Sequence, residues 1–421
     1  TKTLVIDQTD NPIKRERFAQ VTSAPAANFA DTLLLISHDM PQTNIASGDA
    51  LSVNLYWRLV GESISADYTT VVTLNSADGV EYAQWRQQQP GGLATQHWLP
   101  GYYLQDRLTL PTAAGLAPGV YTLSVAVYDP ASGRTLDVLD AVGNPANAAY
   151  ILAPIQVQPP DAPFAATAVA QGPPVNRDLG DGLRLVSFNP LPKDVTVGQA
   201  LDLAWVWQTV TPQADEPALS LLWLGGESRI RVPITPFSGY PLMQWRAGDL
   251  YQARTRITVP AELTSGQVTL RVIVGEYSVP LGVLRVSAPE RTFTLPTPQF
   301  SADVAWANGI RLLGYDLNAD GRPTFYWQTA APLNTSWQRF VHIVNAYSVI
   351  VTQSAGVPAD ASRPTPGWAL GEIITDTVAI AVPNDPALRV YVGWFDPVSG
   401  QRVLLTTDAD FWALPLPAIG D

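Results

Sequence analysis

A threefold internal repeat is the feature of this sequence that most constrains its fold. Strand-like segments ending in tryptophan occur three times, and each is followed by a second tryptophan beside a glycine. The interval between the two tryptophans is the same in the first and third copies. Each copy spans roughly 120–150 residues, which predicts tandem domains and not the units of a solenoid. The paired tryptophans are Trp57 and Trp98, Trp207 and Trp245, and Trp327 and Trp368.

Two further features keep the same order along the chain. An apolar strand-like segment leads into each copy, and an aromatic-Asp-Pro corner, Tyr128–Arg134 or Phe395–Arg402, ends the first and third. Proline-rich junctions at Gln158–Pro163 and Ala288–Pro298 separate the copies. We therefore predict an N-terminal strand or linker followed by three sandwiches, with the boundaries 1–27, 28–160, 161–290 and 291–421.

Side-chain alternation predicts β-strands within each repeat. Val53, Leu55 and Trp57 fall on one face of a strand, whereas Asn54 and Tyr56 fall on the other. The 37 prolines and 30 glycines cluster in turns, and no series of helical crossovers separates the strands. The sequence therefore predicts an all-β fold of three tandem antiparallel β-sandwiches, either immunoglobulin-like or jelly-roll-like.

The composition excludes several kinds of chemistry. There is no cysteine, so disulfides, thiolate metal sites and cysteine catalysis are excluded, and only three histidines occur in 421 residues. A net charge of −12 disfavours a nucleic-acid partner. We expect no cofactor and no catalytic residue, because no hydrolase, phosphate-loop or zinc-protease motif occurs. No run is apolar enough to span a membrane, and the start at Thr1 indicates a fragment or processed chain.

The repeated tryptophans have a structural explanation. Trp57, Trp207 and Trp327 are in phase with the apolar residues of their strands, so we assign them to the three cores. The second series recurs beside a glycine in every copy, which favours a structural plug over a ligand platform.

The aromatic residues that do not repeat are better ligand candidates. Trp85 and Arg86 lie in a polar strand, and Tyr102 and Tyr103 closely follow Trp98. These four residues, Trp85, Arg86, Tyr102 and Tyr103, are therefore our candidates for stacking on and hydrogen-bonding to a glycan. An exposed edge strand that makes a contact between domains is the alternative explanation.

One segment matches the opening of a calcium loop. Asp316, Asn318 and Asp320 have the spacing of the first three ligands, but the closing twelfth position is Trp327 within a strand. Aspartate and asparagine are also common turn residues, so we expect no metal site. Arg254 and Arg256 share one strand face, which a solvated surface or ion pairs between domains would explain.

The order of these features resembles a known family. The matching segments are Leu33–Asp39, Gly48–Trp57, Trp98–Asp106 and Pro118–Arg134, and the third repeat keeps several of the same residues. They resemble β-sandwich domains that follow the membrane part of bacterial glycosyltransferases of the dolichyl-phosphate-mannose protein mannosyltransferase class. The middle repeat departs most, since Gly275–Tyr277 replaces the aromatic corner.

The resemblance implies an extracytoplasmic cell-envelope module, at the cell surface or in the periplasm, tethered to a membrane only through an upstream segment. It implies no catalytic residue in this chain, because the family's chemistry belongs to the membrane part. The leading hypothesis is a non-catalytic module that recognises a glycan or a partner protein. A purely structural spacer and a glycoside hydrolase with an unrecognised acid pair are the alternatives.

Overall fold

The structure, a computed structural model, describes residues 25–415 apart from 65, 102, 181, 238, 383, 384, 386 and 398. These residues form an all-β fold of several sandwich-like domains, in which six sheets enclose three large hydrophobic cores. The predicted N-terminal strand or linker falls mostly on residues 1–24, which lie outside the described residues. None of the helices in the described part of the chain is long and apolar enough to cross a membrane.

The first sandwich packs a sheet of order β11-β10-β1-β2-β4-β7 against one of order β3-β12-β8-β5-β6, with β9 paired to β8. Its strands are β1 (Ala27–Phe29), β2 (Leu33–Asp39), β3 (Asn44–Ala46), β4 (Ala50–Leu59), β5 (Thr69–Ser76), β6 (Glu81–Gln87), β7 (Leu104–Pro111), β8 (Gly119–Asp129), β9 (Arg134–Thr135), β10 (Val138–Leu139), β11 (Pro145–Asn147) and β12 (Tyr150–Gln158).

The second sandwich packs a sheet of order β13-β14-β16-β19 against one of order β15-β21-β20-β17-β18. A single-turn helix, α1 (Ala166–Val169), precedes it. Its strands are β13 (Pro174–Asp178), β14 (Leu183–Phe188), β15 (Asp194–Thr196), β16 (Ala200–Thr209), β17 (Leu219–Gly225), β18 (Ser228–Ile234), β19 (Leu250–Thr258), β20 (Gly266–Val274) and β21 (Tyr277–Ser287).

The third sandwich packs a sheet of order β22-β23-β24-β27 against one of order β26-β25-β28-β29, with β30 paired to β28. Its strands are β22 (Phe300–Ala305), β23 (Ile310–Leu317), β24 (Pro323–Thr329), β25 (Gln338–Val344), β26 (Ile350–Gly356), β27 (Ile374–Thr377), β28 (Arg389–Phe395), β29 (Arg402–Val403) and β30 (Trp412–Ala413).

Two strand pairings differ from a purely antiparallel pattern. β3 pairs in parallel with β12, and β15 pairs in parallel with β21. In both cases the chain leaves one sheet after β2 or β14. The next strand, β3 or β15, then lies at the edge of the facing sheet. The short crossing closes the end of the sandwich, so the strand that follows it lies alongside the last strand of the domain.

The first series of tryptophans fills the cores, as the alternation predicts. Trp57, Trp207 and Trp327 are each 0% exposed and belong to the three separate cores. Burying one indole removes about 150–250 Å² from water, so each of them contributes several kcal/mol of gross stabilisation. The prediction that these side chains face inward is confirmed.

The second series of tryptophans is also structural. Each of these indoles is buried and follows a single 3-10 turn, and its Nε1–H donates back to the backbone carbonyl five residues earlier. The three bonds are Trp98 to Leu93 (3.0 Å), Trp245 to Tyr240 (3.1 Å) and Trp368 to Arg363 (2.9 Å). Each indole belongs to the core of its own sandwich, which agrees with the predicted structural role.

The junction between the first two sandwiches has a small core of its own. It contains Val169 of α1 and Val206 of β16, and Phe164 of the connecting segment packs against it. Gln252 of β19 donates its backbone N–H to the carbonyl of Gly115 (2.6 Å), which extends strand-like pairing across the boundary. The two domains are therefore joined by packing and hydrogen bonds as well as by the chain.

The junction between the second and third sandwiches is built around one arginine. The Arg291 guanidinium donates to the carboxylate of Glu372 and to the carbonyl of Ala261. The backbone N–H of Ile373 also donates to the carbonyl of Thr292 over 2.7 Å. Glu372 is 0% exposed, and Arg291 together with Arg363 of the third sandwich supplies the positive charge that this buried carboxylate needs.

Candidate functional site

A polar cleft of about 580 Å³ opens where the first and second sandwiches meet. Its volume is within the range of ligand-binding clefts, roughly 300–1,000 Å³. The first sandwich contributes the turn between β5 and β6, and the second contributes residues of β16 and β19. The charged side chains that line it are Asp78, Glu81, Asp202, Arg254 and Arg256.

The β5–β6 hairpin forms one wall of the cleft. Its turn is closed by the bond from the Gly79 N–H to the Ser76 carbonyl (2.9 Å), and the Ser76 hydroxyl donates to Asp78. The pairing shifts by one residue at Asn75, so that Tyr82 leaves the strict alternation of β6. The Tyr82 ring therefore packs edge-on against Tyr121, with ring centroids 5.4 Å apart.

Arg254 forms the floor of the cleft and couples the two domains. Its backbone N–H donates to the Tyr82 hydroxyl (3.0 Å), and its guanidinium donates to the Glu81 carbonyl (3.0 Å). The guanidinium carbon lies 5.6 Å from the centroid of the Tyr82 ring, within the range of a cation–π contact. Burial raises the pKa of Tyr82 further above physiological pH.

Arg256 lies two residues further along β19 and has a different role. It makes a two-pronged ion pair with Asp202 of β16, at 2.8 and 3.1 Å. The two side chains are 68% and 64% exposed, so the pair contributes only about 0–1 kcal/mol to stability. Their remaining hydrogen-bonding capacity is directed to solvent at the cleft, where a donor and an acceptor lie side by side.

The structure does not bring the predicted glycan residues to one surface. Trp85 pairs with the core residue Val72 and packs against the first core. Arg86 lies on the opposite face of β6, with its guanidinium 5.5 Å from the Tyr128 ring. Tyr103 lies by the facing sheet, near Arg58. Tyr102 lies outside the described residues.

The residues of the calcium-like segment are engaged in other interactions. Asp316 accepts hydrogen bonds from the backbone N–H of Gln299 (2.6 Å) and the hydroxyl of Tyr326 (2.5 Å). The second bond is the main cause that raises the pKa of Tyr326 to about 12. Asn318 caps a turn by accepting the N–H groups of Asp320 and Arg322. Across the described residues, no three or more His, Asp or Glu side chains cluster as metal ligands would.

Sequence reasoning missed Tyr82 as the residue that meets the second domain. A contact between domains is one expectation for Arg254 and, separately, for the strand that contains Trp85, but nothing in the sequence joins the two. Within the described chain the buried carboxyl side chains are Asp106, Asp249, Glu372 and Asp376, and none of them lines the cleft.

The fold and the cleft define a tandem array of β-sandwich domains with a polar cleft at its first junction. No family model and no curated protein matches the chain. Two solved structures of Salmonella alpha-2-macroglobulin, a variant and a form reacted with methylamine, are similar at 10% identity with TM-scores of 0.19 and 0.20. A structure of the native conformation of E. coli alpha-2-macroglobulin is similar at 9% identity with a TM-score of 0.18.

These alignments cover 94%, 91% and 90% of this chain but only 24%, 23% and 23% of the three macroglobulin chains. The chain thus spans about a quarter of the length of the structures it matches. A similarity of this size carries no argument about function.

Proposed function

We propose that this chain is a non-catalytic, extracytoplasmic module of the cell envelope and that the cleft between its first two sandwiches binds a glycan. The observation that carries the proposal is the exposed pair of Arg256 and Asp202 in a cleft of about 580 Å³. Sugar hydroxyls both donate and accept hydrogen bonds, so a guanidinium beside a carboxylate suits them. The rigid wall formed by Tyr82 and Arg254 keeps the cleft in shape without a ligand.

The envelope location is supported by the resemblance to glycosyltransferase-associated sandwiches. It is compatible with a chain that is stabilised by packing and ion pairs and contains no cysteine. Within a longer protein, such an array would hold its cleft at a set distance from a membrane-embedded part.

The glycoside-hydrolase alternative has no observation in its favour. Hydrolysis needs a pair of carboxyl groups, one of them with a raised pKa, on either side of the bond that is cleaved. The described carboxyl group with a raised pKa in a fully buried setting, Asp106, does not line the cleft. Glycan binding therefore remains the better proposal.

A glycan array probed with the full chain tests this proposal. We expect binding by the parent chain and at least a tenfold loss for Asp202→Asn, because the variant removes the charged acceptor and releases Arg256. Asp303→Asn is the matched control, since Asp303 forms a comparable surface pair with Arg311 in the third sandwich (2.6 Å). Absence of binding, or an equal loss in both variants, would favour a spacer or a partner-protein module.

A further inference from the structure

Three core positions of the first sandwich have equivalents at the same strand register in the third. In the third sandwich they hold Trp327, Arg339 and Asp376, all buried. Asp376 accepts the Trp327 indole N–H (3.2 Å) and the Arg339 Nε–H (2.8 Å) on one carboxylate oxygen. Its other oxygen accepts the backbone N–H of Ala359 (2.8 Å) in the loop after β26. The acid is thus neutralised by an arginine and holds that loop.

The second sandwich has neither the arginine nor the aspartate at these positions. Strand register places Leu219 where the third sandwich has Arg339 and Ala253 where it has Asp376. Both side chains are buried and apolar, and Trp207 occupies the tryptophan position. A buried ion pair and its apolar replacement are both stable solutions for such a site.

The first sandwich keeps the aspartate but lacks the arginine. Its equivalent residues are Trp57, Thr70 and Asp106, so a threonine stands where the arginine would be. Trp85 takes the position of Ser354, whose hydroxyl accepts from Arg339, and it restores part of the lost volume. Asp106 is 1% exposed.

Three polar atoms of this cluster are left buried without a hydrogen-bond partner. They are the Trp57 Nε1, the Thr70 Oγ1 and the Asp106 Oδ2. The other oxygen, Oδ1, accepts the backbone N–H of Gly91 (2.8 Å), just as Asp376 holds the loop of the third sandwich. Gly91 has a φ of 65° and a Cβ there would lie 2.7 Å from Leu104, so the loop is closely seated on the acid.

An ionised carboxylate in this place has no charged partner, whereas the protonated acid carries no charge and its Oδ1 can still accept from Gly91. We propose that Asp106 is a proton-operated latch, whose acid form holds the loop of residues 88–101 against the first sandwich and whose ionised form releases it. Release admits water to the carboxylate, which is how a buried charge without a partner lowers its energy.

The charged groups on the surrounding elements are engaged elsewhere. On β4 and β7, Arg58 lies near the Tyr103 ring and Arg107 donates to Gln105. On β6, Glu81 accepts from Gln84, and Arg86 donates to Gln84 beside the Tyr128 ring. In the loop itself His97 is exposed, and nearby Asp67 accepts from the Gln96 N–H. β5 carries no charged residue.

The pKa of Asp106 agrees with this geometry. Burial raises it from 3.8 to about 6, and the Gly91 N–H opposes that rise in part. Ionisation of the latch therefore falls in a range that a cell envelope can experience, between mildly acidic and neutral pH.

Hydrogen–deuterium exchange of the full chain between pH 4 and pH 7.5, corrected for intrinsic exchange, tests the latch. We expect the opening equilibrium of residues 88–101 to rise about 100-fold over this range, from the displacement of the Asp106 pKa. Residues 357–371 of the third sandwich are the internal control and should not change, because Arg339 keeps Asp376 paired. A parallel response of the two loops would overturn the proposal.

Two variants sharpen the test. Asp106→Asn imitates the protonated acid and should make loop opening independent of pH. Thr70→Arg combined with Trp85→Ser introduces the arginine and serine of the third sandwich. This double variant should keep the loop closed between pH 4 and pH 7.5. A pH response that persists in Asp106→Asn contradicts the latch. If either variant fails to fold, the comparison of the two loops within the parent chain still decides.

Discussion

The backbone N–H of Arg254 donates to the hydroxyl of Tyr82 over 3.0 Å, across the boundary between the first and second sandwiches. The guanidinium of the same arginine donates to the Glu81 carbonyl, so a single residue of β19 binds the β5–β6 hairpin through two hydrogen bonds. Arg256, two positions on, faces the cleft with Asp202. One strand therefore supplies both the coupling between domains and the proposed binding surface.

Removing the Tyr82 hydroxyl should weaken this coupling. We expect Tyr82→Phe to cost about 1 kcal/mol, the usual value of one hydrogen bond, plus the cost of an unpaired buried N–H. Urea unfolding should show the first two sandwiches separating into more distinct transitions. Tyr128→Phe is the control, because that ring lies under Arg86 on the outer face of the same sheet. An equal effect of both variants would contradict the role of Tyr82.

Truncating a core tryptophan should destabilise one domain strongly. Trp57→Ala removes a fully buried indole that packs 5.6 Å from the Phe29 ring, and we expect a loss of about 3–5 kcal/mol in the first sandwich. Tyr347→Ala should change stability by less than about 0.5 kcal/mol, since Tyr347 is 87% exposed. Calorimetry compares the two, and an unchanged melting transition in Trp57→Ala would refute the core assignment.

The buried ion pair of the third sandwich should behave as a unit. Arg339→Leu leaves Asp376 buried without its partner and should cost about 3–5 kcal/mol. Adding Asp376→Ala should recover at least half of that loss, because Leu219 and Ala253 already occupy the equivalent positions of the second sandwich. A double-mutant cycle by chemical denaturation measures the coupling. Purely additive losses would show that the two residues act independently.

Asp106 should give the first sandwich a pH-dependent stability. Its pKa is about 6 in the folded state against 3.8 for an exposed carboxyl, so the folded state holds the proton more tightly. The contribution of Asp106 to stability is therefore greatest below pH 3.8, and it falls by about 3 kcal/mol as the pH rises from 3.8 through the folded-state pKa of about 6. Because other carboxyl groups titrate as well, the informative quantity is the difference between the parent and Asp106→Asn.

Calorimetry at several pH values measures that difference. The transition of the first sandwich is identified by its shift in Trp57→Ala. Asp106→Asn should be the more stable protein at pH 7 and lose its advantage at pH 4. A constant difference across this range would show that Asp106 does not change protonation on folding.

Much of the architecture can be predicted from the sequence, because it depends on the local periodicity of apolar side chains. The alternation around Trp57 places that side chain on the apolar face whatever the rest of the chain does. The repeated pairing of a tryptophan with a following glycine likewise reports a local turn in each sandwich. The equivalent tryptophan is buried in all three copies, so each core has the same volume to fill at that position.

The cleft and the latch depend instead on which strands become neighbours. Trp85 and Arg86 differ by one position, and only the pairing of β6 with Val72 of β5 decides which of them meets the core. The register shift at Asn75 then turns Tyr82 towards the second domain.

The sequence by itself determined three tandem β-sandwiches and the burial of their tryptophans, since side-chain period and turn residues are local properties. The equal spacing from Trp98 to Asp106 and from Trp368 to Asp376 also places the two acids at equivalent positions of the repeat. Tertiary structure alone decided that an arginine of the facing sheet pairs with Asp376, whereas the equivalent position in the first sandwich is a threonine, Thr70. Charge compensation acts across space, so residues far apart in the chain decide what a buried carboxyl group can do.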